Sequence, residues 1–280
     1  MVGKADMTDV MMNTNYMGPK RVTDAFVGLI DPKEGRIVNT SSGVASGWVK
    51  RQDAKTQAFY TNPNLTWEDL NASVQANAAA KNFGQGFSSA YGLSKAALCA
   101  LTLVQAKSFP NLKVTSLSPG FVDTPLAAGS NSTSKITPEK GCTSSLKCLF
   151  EDVISGAYYG SDGLRSPMTI GRDPGTPEFQ GESNPDPAKY TRSNEKRVIK
   201  HILVTGASSG IGLALCKLLI RDHACYVYLG SRNVAKGETA KKTILEEVPD
   251  KSNMIEVVQI DVGNDFSVKA AANILKDRGN

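Results

Sequence analysis

His201-Ile202-Leu203-Val204-Thr205-Gly206-Ala207-Ser208-Ser209-Gly210-Ile211-Gly212-Leu213-Ala214-Leu215 is the stretch on which the fold of this 280-residue chain turns. Residues 201–205 read as an apolar strand, the glycines follow at once, and Ile211 opens a helix. That is the setting a phosphate-binding glycine loop requires. Glycine lets the backbone turn tightly and approach a pyrophosphate, while the free N–H groups and positive dipole end of the helix attract its charge. A glycine-rich loop is also compatible with a plain strand-to-helix turn, and the flanking strand and helix weigh against that reading. The position is unusual, because the loop lies past residue 200, after the residues that look catalytic.

Working outward, short apolar or β-branched runs predict strands at 35–42, 113–117, 168–170, 201–205, 226–229 and 255–260. Helical patterns alternate with them at 8–30, 89–109, 138–150, 211–221, 235–248 and 266–277. This spacing builds right-handed βαβ units, so the expected fold is α/β, a doubly wound, Rossmann-like parallel sheet. Residues 43–85 form a long insert with both tryptophans, Trp48 and Trp67, and a capping box from Thr66 to Asp69, read as a flap or an extra helical layer. Residues 171–200 contain Pro174, Pro177, Pro185 and Pro187 among many charged and amide side chains and read as a linker. The expected organisation is a catalytic part, 1–170, a linker, 171–200, and a dinucleotide-binding part, 201–280.

Composition excludes several classes of function. The net charge of +5 is spread along the chain without a basic arm, so nucleic acid is not an expected partner. No stretch approaches the ~20 apolar residues of a membrane span, and the start resembles no secretion signal. Five cysteines, Cys99, Cys142, Cys148, Cys216 and Cys225, make no C-x-x-C pair, and there are two histidines, so neither a disulfide framework nor a metal site is expected. A cytoplasmic, untargeted protein fits these features.

After the 226–229 strand comes Gly230-Ser231-Arg232-Asn233. An acidic residue here would bind the ribose 2′-hydroxyl of NAD; Arg232 suits a 2′-phosphate, which favours NADP. The competing reading of Arg232 is a solvated strand-end side chain.

Tyr91-Gly92-Leu93-Ser94-Lys95 sets a phenol and an ammonium four residues apart on one helix face. The ammonium is expected to lower the phenol pKa from its usual ~10, so that Tyr91 can donate a proton to a carbonyl oxygen. A second match, Tyr16-Met17-Gly18-Pro19-Lys20, is set aside because Gly18 and Pro19 disfavour a regular helical turn. Upstream, Arg36-Ile37-Val38-Asn39-Thr40 ends in Ser41-Ser42, placing a hydroxyl at a strand's carboxyl end, where open α/β sheets keep their sites. Ser42 is suited to bind the substrate carbonyl, or to satisfy its own turn. Downstream, Ser118-Pro119-Gly120-Phe121-Val122-Asp123-Thr124 gives another strand end with a turn and a hydroxyl, and Thr124 is placed to hold a cofactor amide.

Jointly, Thr-Gly-x-x-x-Gly-x-Gly, the serine, Tyr-x-x-x-Lys and Pro-Gly-x-Val-x-Thr resemble the short-chain dehydrogenase/reductase family over most of the chain except the linker. The insert between Ser42 and Tyr91 resembles that of the carbonyl reductase branch, which implies a monomer. The resemblance implies Tyr91 as proton donor, Lys95 as its pKa modulator and ribose ligand, Ser42 as carbonyl-oxygen ligand, and Asn15 as the structural and proton-relay asparagine. It implies NADP held by Gly206, Ser209, Gly210, Ile211, Gly212, Arg232, Asp261, Val262, Pro119, Gly120, Val122 and Thr124. The implied reaction is reversible NADPH-dependent reduction of a small-molecule ketone or aldehyde, without a metal.

The same resemblance exposes a gap. In family order, Ile274-Leu275-Lys276-Asp277-Arg278-Gly279-Asn280 should lead into a hydrophobic fourth strand ending Asn-Asn-Ala-Gly, which belongs mid-sheet between the Val204 and Val38 strands, and no such segment is present. A simple permutation cuts at an exposed loop and keeps every element. The expectation is therefore a tandem-array junction or an incomplete gene rather than a permuted but complete enzyme. The alternative to a reductase is a non-catalytic dinucleotide-binding homologue.

Overall fold

The computed structural model describes residues 7–81, 83, 89–127, 134–169, 172–181 and 199–278. Two compact units emerge, one of Met1–Gly120 with Ser144–Lys189, the other of Phe121–Thr143 with Tyr190–Asn280.

The first unit starts with helices α1 (Met7–Met12) and α2 (Gly18–Phe26), joined by a π turn over Asn13–Met17. The sequence pattern predicts one helix over 8–30, within which Gly18 and Pro19 disfavour a regular turn. Pro19 has no N–H to give the Asn15 carbonyl four residues back, and the helix widens just before it. Strand β1 (Arg36–Thr40) follows, then α3 (Gly43–Lys50), α4 (Ala54–Tyr60), α5 (Trp67–Ala79) and the long α6 (Ser89–Ser108). Strand β2 (Lys113–Leu117), α7 (Thr143–Phe150) and the short β3 (Tyr158–Tyr159) complete the set.

These strands form a parallel sheet in the order β1-β2-β3, with Arg36 opposite Lys113 and Thr40 opposite Leu117. The insert is helical. Thr66 caps α5, its hydroxyl accepting from the Asp69 N–H at 3.1 Å and donating to the Asp69 carboxylate at 2.8 Å. Trp48, Tyr60, Leu70 and Val74 of this layer join Leu93, Ala97 and Leu101 of α6 in one buried cluster.

The strand expected at 168–170 does not form. Met168 and Thr169 sit in a bend and Ile170 lies outside the described residues; the third strand is instead the aromatic pair Tyr158–Tyr159. Part of the expected linker is anchored, since Arg172 donates to Ser166, to the Thr176 carbonyl and to Asp162. Residues 182–198 of that linker are outside the description.

The second unit is a βαβαβ succession: β4 (His201–Val204), α8 (Gly210–His223), β5 (Tyr226–Ser231), α9 (Val234–Glu247), β6 (Ile255–Gln259) and α10 (Asp265–Lys276). The sheet order is β4-β5-β6, all parallel. The fold class is therefore α/β and Rossmann-like, in two three-stranded parallel sheets. Among the described residues, β1 and β4 are each an edge strand of their own sheet.

Candidate active site

In the second unit the chain leaves β4 at Val204 and re-forms as α8 at Gly210. Gly206 (φ +67) and Gly210 (φ +56) occupy the left-handed region, which glycine enters without strain. Gly212 has a different reason. A Cβ there would stand 2.6 Å from the Gly206 carbonyl oxygen and 2.9 Å from the Ala207 Cα, so only glycine lets the helix lie against its own loop. Ser209 stands at the N-cap position of α8 without a side-chain cap hydrogen bond, which leaves the first-turn amides without that partner. Ile211 follows in the first turn. The Thr124 methyl lies 3.1 Å from where a Gly210 Cβ would be, and Val122 is buried and bridged to Ile136.

Beside this loop is a cleft of about 380 Å³, lined by Pro125, Ser208, Ser209, Ser231, Arg232, Asn233 and Lys236. Asn233 caps α9 by accepting from the Lys236 N–H at 2.9 Å. Neither cation has a salt-bridge partner among the described residues. Sequence reasoning did not single out Lys236 and Ser208, which line the cleft together with Arg232. Asp261 serves its own turn, accepting from the Gly263 N–H at 2.9 Å, with Val262 between them.

In the first unit, β1 delivers Ser41 and Ser42 to the start of α3. Ser42 caps that helix, accepting from the Val44 N–H at 3.2 Å, and its hydroxyl opposes the rise that burial imposes on the Tyr91 phenol. Capping the helix and acting on Tyr91 are thus compatible roles for one hydroxyl. Ser41 is buried and donates to the Lys95 carbonyl at 3.0 Å, tying the strand end to α6. Asn15 donates from Nδ2 to Ser94 Oγ at 3.1 Å, and Ser94 donates to the Tyr91 carbonyl at 2.8 Å. The π turn therefore reaches the backbone of Tyr91 through one buried hydroxyl. Pro119 is buried and Gly120, at φ +83, makes the turn after β2.

One expectation needs correction. Burial raises the Tyr91 phenol above its usual value, and what opposes that rise is the Ser42 hydrogen bond. The Lys95 ammonium donates to the Thr40 carbonyl at 2.9 Å and stands 5.8 Å from the centre of the Tyr91 ring. Burial lowers Lys95 itself to about 8. The second Tyr-x-x-x-Lys match is built into the core: Tyr16 is fully buried and stacks on Trp67, over which the Lys20 ammonium sits at 4.7 Å.

Residues 200–279 match the short chain dehydrogenase family. The chain is 30% identical over 166 residues to (+)-neomenthol dehydrogenase of Arabidopsis thaliana, covering 55% of each protein. It is 29% identical over 164 residues to salutaridine reductase of Papaver bracteatum, covering 55% of this chain and 52% of the other. Over 80 residues it is 45% identical to human 3-keto-steroid reductase/17-beta-hydroxysteroid dehydrogenase 7, which is 28% of this chain and 23% of that protein. Among solved structures, salutaridine reductase from Papaver somniferum aligns at 28% identity and a TM-score of 0.47, over 55% of this chain and 54% of the other. The chain spans about half the length of the first of these relatives and a quarter of the human one. Among the described residues no group of His, Cys, Asp and Glu could hold a metal, and no helix is long and apolar enough to cross a membrane.

Proposed function

We propose that this chain carries the machinery of an NADPH-dependent carbonyl reductase acting on a small-molecule ketone or aldehyde. The observation that carries the reading is that the Ser42 hydroxyl acts on the Tyr91 phenol, opposing the rise that burial imposes on it, with Lys95 one helical turn further on. A dinucleotide fits the second unit because the left-handed Gly206 and Gly210 turn the loop into the start of α8 and the adjoining cleft presents two cations, Arg232 and Lys236. The 2′-phosphate of NADP is the group two such cations would hold, and the pyrophosphate belongs at the α8 amides. When bound, the dinucleotide supplies the hydride.

The chain's own residues do the rest. Ser42 holds the carbonyl oxygen, and Tyr91 hands its phenolic proton to that oxygen as it gains charge, so the carbonyl becomes an alcohol. Lys95, one turn along α6, binds the ribose and supports the phenolate left behind. Asn15 reaches Tyr91 through Ser94 and keeps the first turn of α6 in place.

A second reading, a dinucleotide-binding homologue without turnover, is favoured by the division into two three-stranded sheets. NADPH fluorescence titration followed by NADPH consumption over a panel of ketones, aldehydes and quinones separates the two. Turnover supports the reductase; tight binding without turnover on any of them overturns it in favour of the second reading.

A further inference from the structure

The main-chain ladder of the first sheet runs out just where the candidate site begins. Its last rungs are the Ser41 N–H to the Leu117 carbonyl at 2.7 Å and the Ser118 N–H to the Tyr159 carbonyl at 2.9 Å. Beyond them a side chain takes over. Ser118 Oγ accepts from the Gly43 N–H at 2.9 Å and from the Gly120 N–H at 3.2 Å, and the same hydroxyl opposes the rise that burial imposes on the Tyr158 phenol. The Ser118 side chain itself is buried, 6% exposed. Gly43 is the first residue of α3, directly after Ser42, and Gly120 is the turn residue at φ +83. One oxygen therefore ties together the loop that carries Ser42, the Pro119-Gly120 turn and the last strand.

We propose that Ser118 is a positioning residue of the carbonyl reduction: by holding the Gly43 amide it sets the Ser42 hydroxyl against Tyr91. The inference rests on the reductase reading for its catalytic meaning, while the geometry it describes belongs to the protein whether or not it turns over. Removing the Ser118 oxygen takes the acceptor from the Gly43 and Gly120 N–H groups together and frees the α3 start to shift, which carries Ser42 with it. Merely loosening the core would not act selectively on Tyr91.

The test reads the Tyr91 phenol directly, by NMR titration of the full chain labelled with 13C at tyrosine Cζ, the resonance assigned with Tyr91→Phe. Ser118→Ala is expected to move the Tyr91 titration upward, in the same direction as Ser42→Ala, because the hydrogen bond that opposes burial is weakened in both. The buried Tyr16 and Tyr60 resonances should stay in place, and Ser118→Thr, which keeps the hydroxyl, should restore the wild-type value. If alanine prevents folding, Ser118→Cys keeps the volume with a weak acceptor and should give the same upward shift. In turnover the expected cost is about two- to tenfold in kcat, the size of one neutral hydrogen bond.

A folded Ser118 variant whose Tyr91 titrates at the wild-type value overturns the proposal, whatever Ser42→Ala does. A shift of all tyrosines together makes Ser118 a packing residue and overturns it as well. An upward shift of Tyr91, accompanied by Tyr158, which loses its own contact with Ser118, but not by Tyr16 and Tyr60, in a protein that consumes no NADPH upholds the positioning role and sinks the reductase reading, so the two failures remain distinct.

Discussion

The two units bury very different interiors. In the first, Thr23, Asn39, Ser41, Ser94, Thr102, Gln105, Thr115, Ser118 and Ser144 are all enclosed, whereas in the second Ser231 alone among the described residues is a buried polar side chain. The second unit rests on apolar contacts of Val204, Leu219, Val227, Leu229, Ile244 and Val268 and on backbone shapes that only glycine allows. The first is cross-linked: Asn39 donates to Thr102 at 3.0 Å and to Gln105 at 2.9 Å, and Gln105 donates to Thr23 at 2.9 Å. On the proposed reductase reading the contrast follows from what each would have to hold. A pyrophosphate needs open backbone and a helix end, which hydrophobic packing can supply. A hydroxyl, a phenol and an ammonium need fixed directions, and satisfied buried hydrogen bonds give direction where apolar contacts do not.

The largest expected effect lies in the first unit. Tyr91→Phe removes the phenolic proton and leaves the ring, so ketone reduction should fall by about 10²- to 10⁴-fold while NADPH titrates as in the wild type. Unchanged turnover would remove Tyr91 as the acid and with it the reason offered for that unit's polar interior.

The second unit should fail differently, in affinity rather than in chemistry. The double variant Arg232→Ala, Lys236→Ala takes both cations from the cleft, and each charge-assisted contact is worth about 1.5–3 kcal/mol, roughly tenfold or more apiece. NADPH should bind at least ~10²-fold more weakly and NADH nearly as before; equal losses for both would show that the cleft does not read a 2′-phosphate.

How much of this was legible beforehand depends on what kind of signal each feature leaves. Strands β1, β2, β4, β5 and β6 show as β-branched or apolar runs, and the glycine loop declares itself because its spacing matches a strand and a helix together. The strand β3 is only Tyr158–Tyr159 and has no alternation to read, whereas the apolar run at 168–170 reads as a strand and its described residues, Met168 and Thr169, form a bend. Ser42, Tyr91 and Lys95 are nameable from spacing, yet the direction of the Tyr91 shift was not, because burial outweighs a charge that the fold turns toward Thr40. The role of Ser118 leaves no mark in sequence at all, since a serine before Pro-Gly reads as a turn residue until its hydroxyl is found bridging two loops.

A smaller effect tests the cross-links themselves. Asn39→Leu keeps the volume but leaves the Gln105 carbonyl oxygen without its donor, at ~1–3 kcal/mol for the buried orphan. In the second unit Leu229→Met, also conserving volume, should cost under about 1.5 kcal/mol. Chemical denaturation of the two variants should rank them in that order. The opposite ranking would mean that the first unit's polar interior contributes orientation without stability.

The smallest effect expected is a pH dependence, and its sign follows from Lys95. Reduction needs Lys95 charged and Tyr91 protonated, and both conditions are lost as pH rises. Lys95 goes first, because burial brings it down to about 8 whereas burial raises Tyr91. The value of kcat/KM for NADPH reports groups in the free protein. It should be level below pH 8 and decline above it by up to about tenfold per unit, the limit for loss of a single proton. Lys95→Arg stays charged throughout this range and should lose the decline near pH 8 even if its overall rate is low. A decline that survives unchanged in Lys95→Arg would move the titrating group elsewhere and leave the ammonium's contact with Thr40 as structure alone.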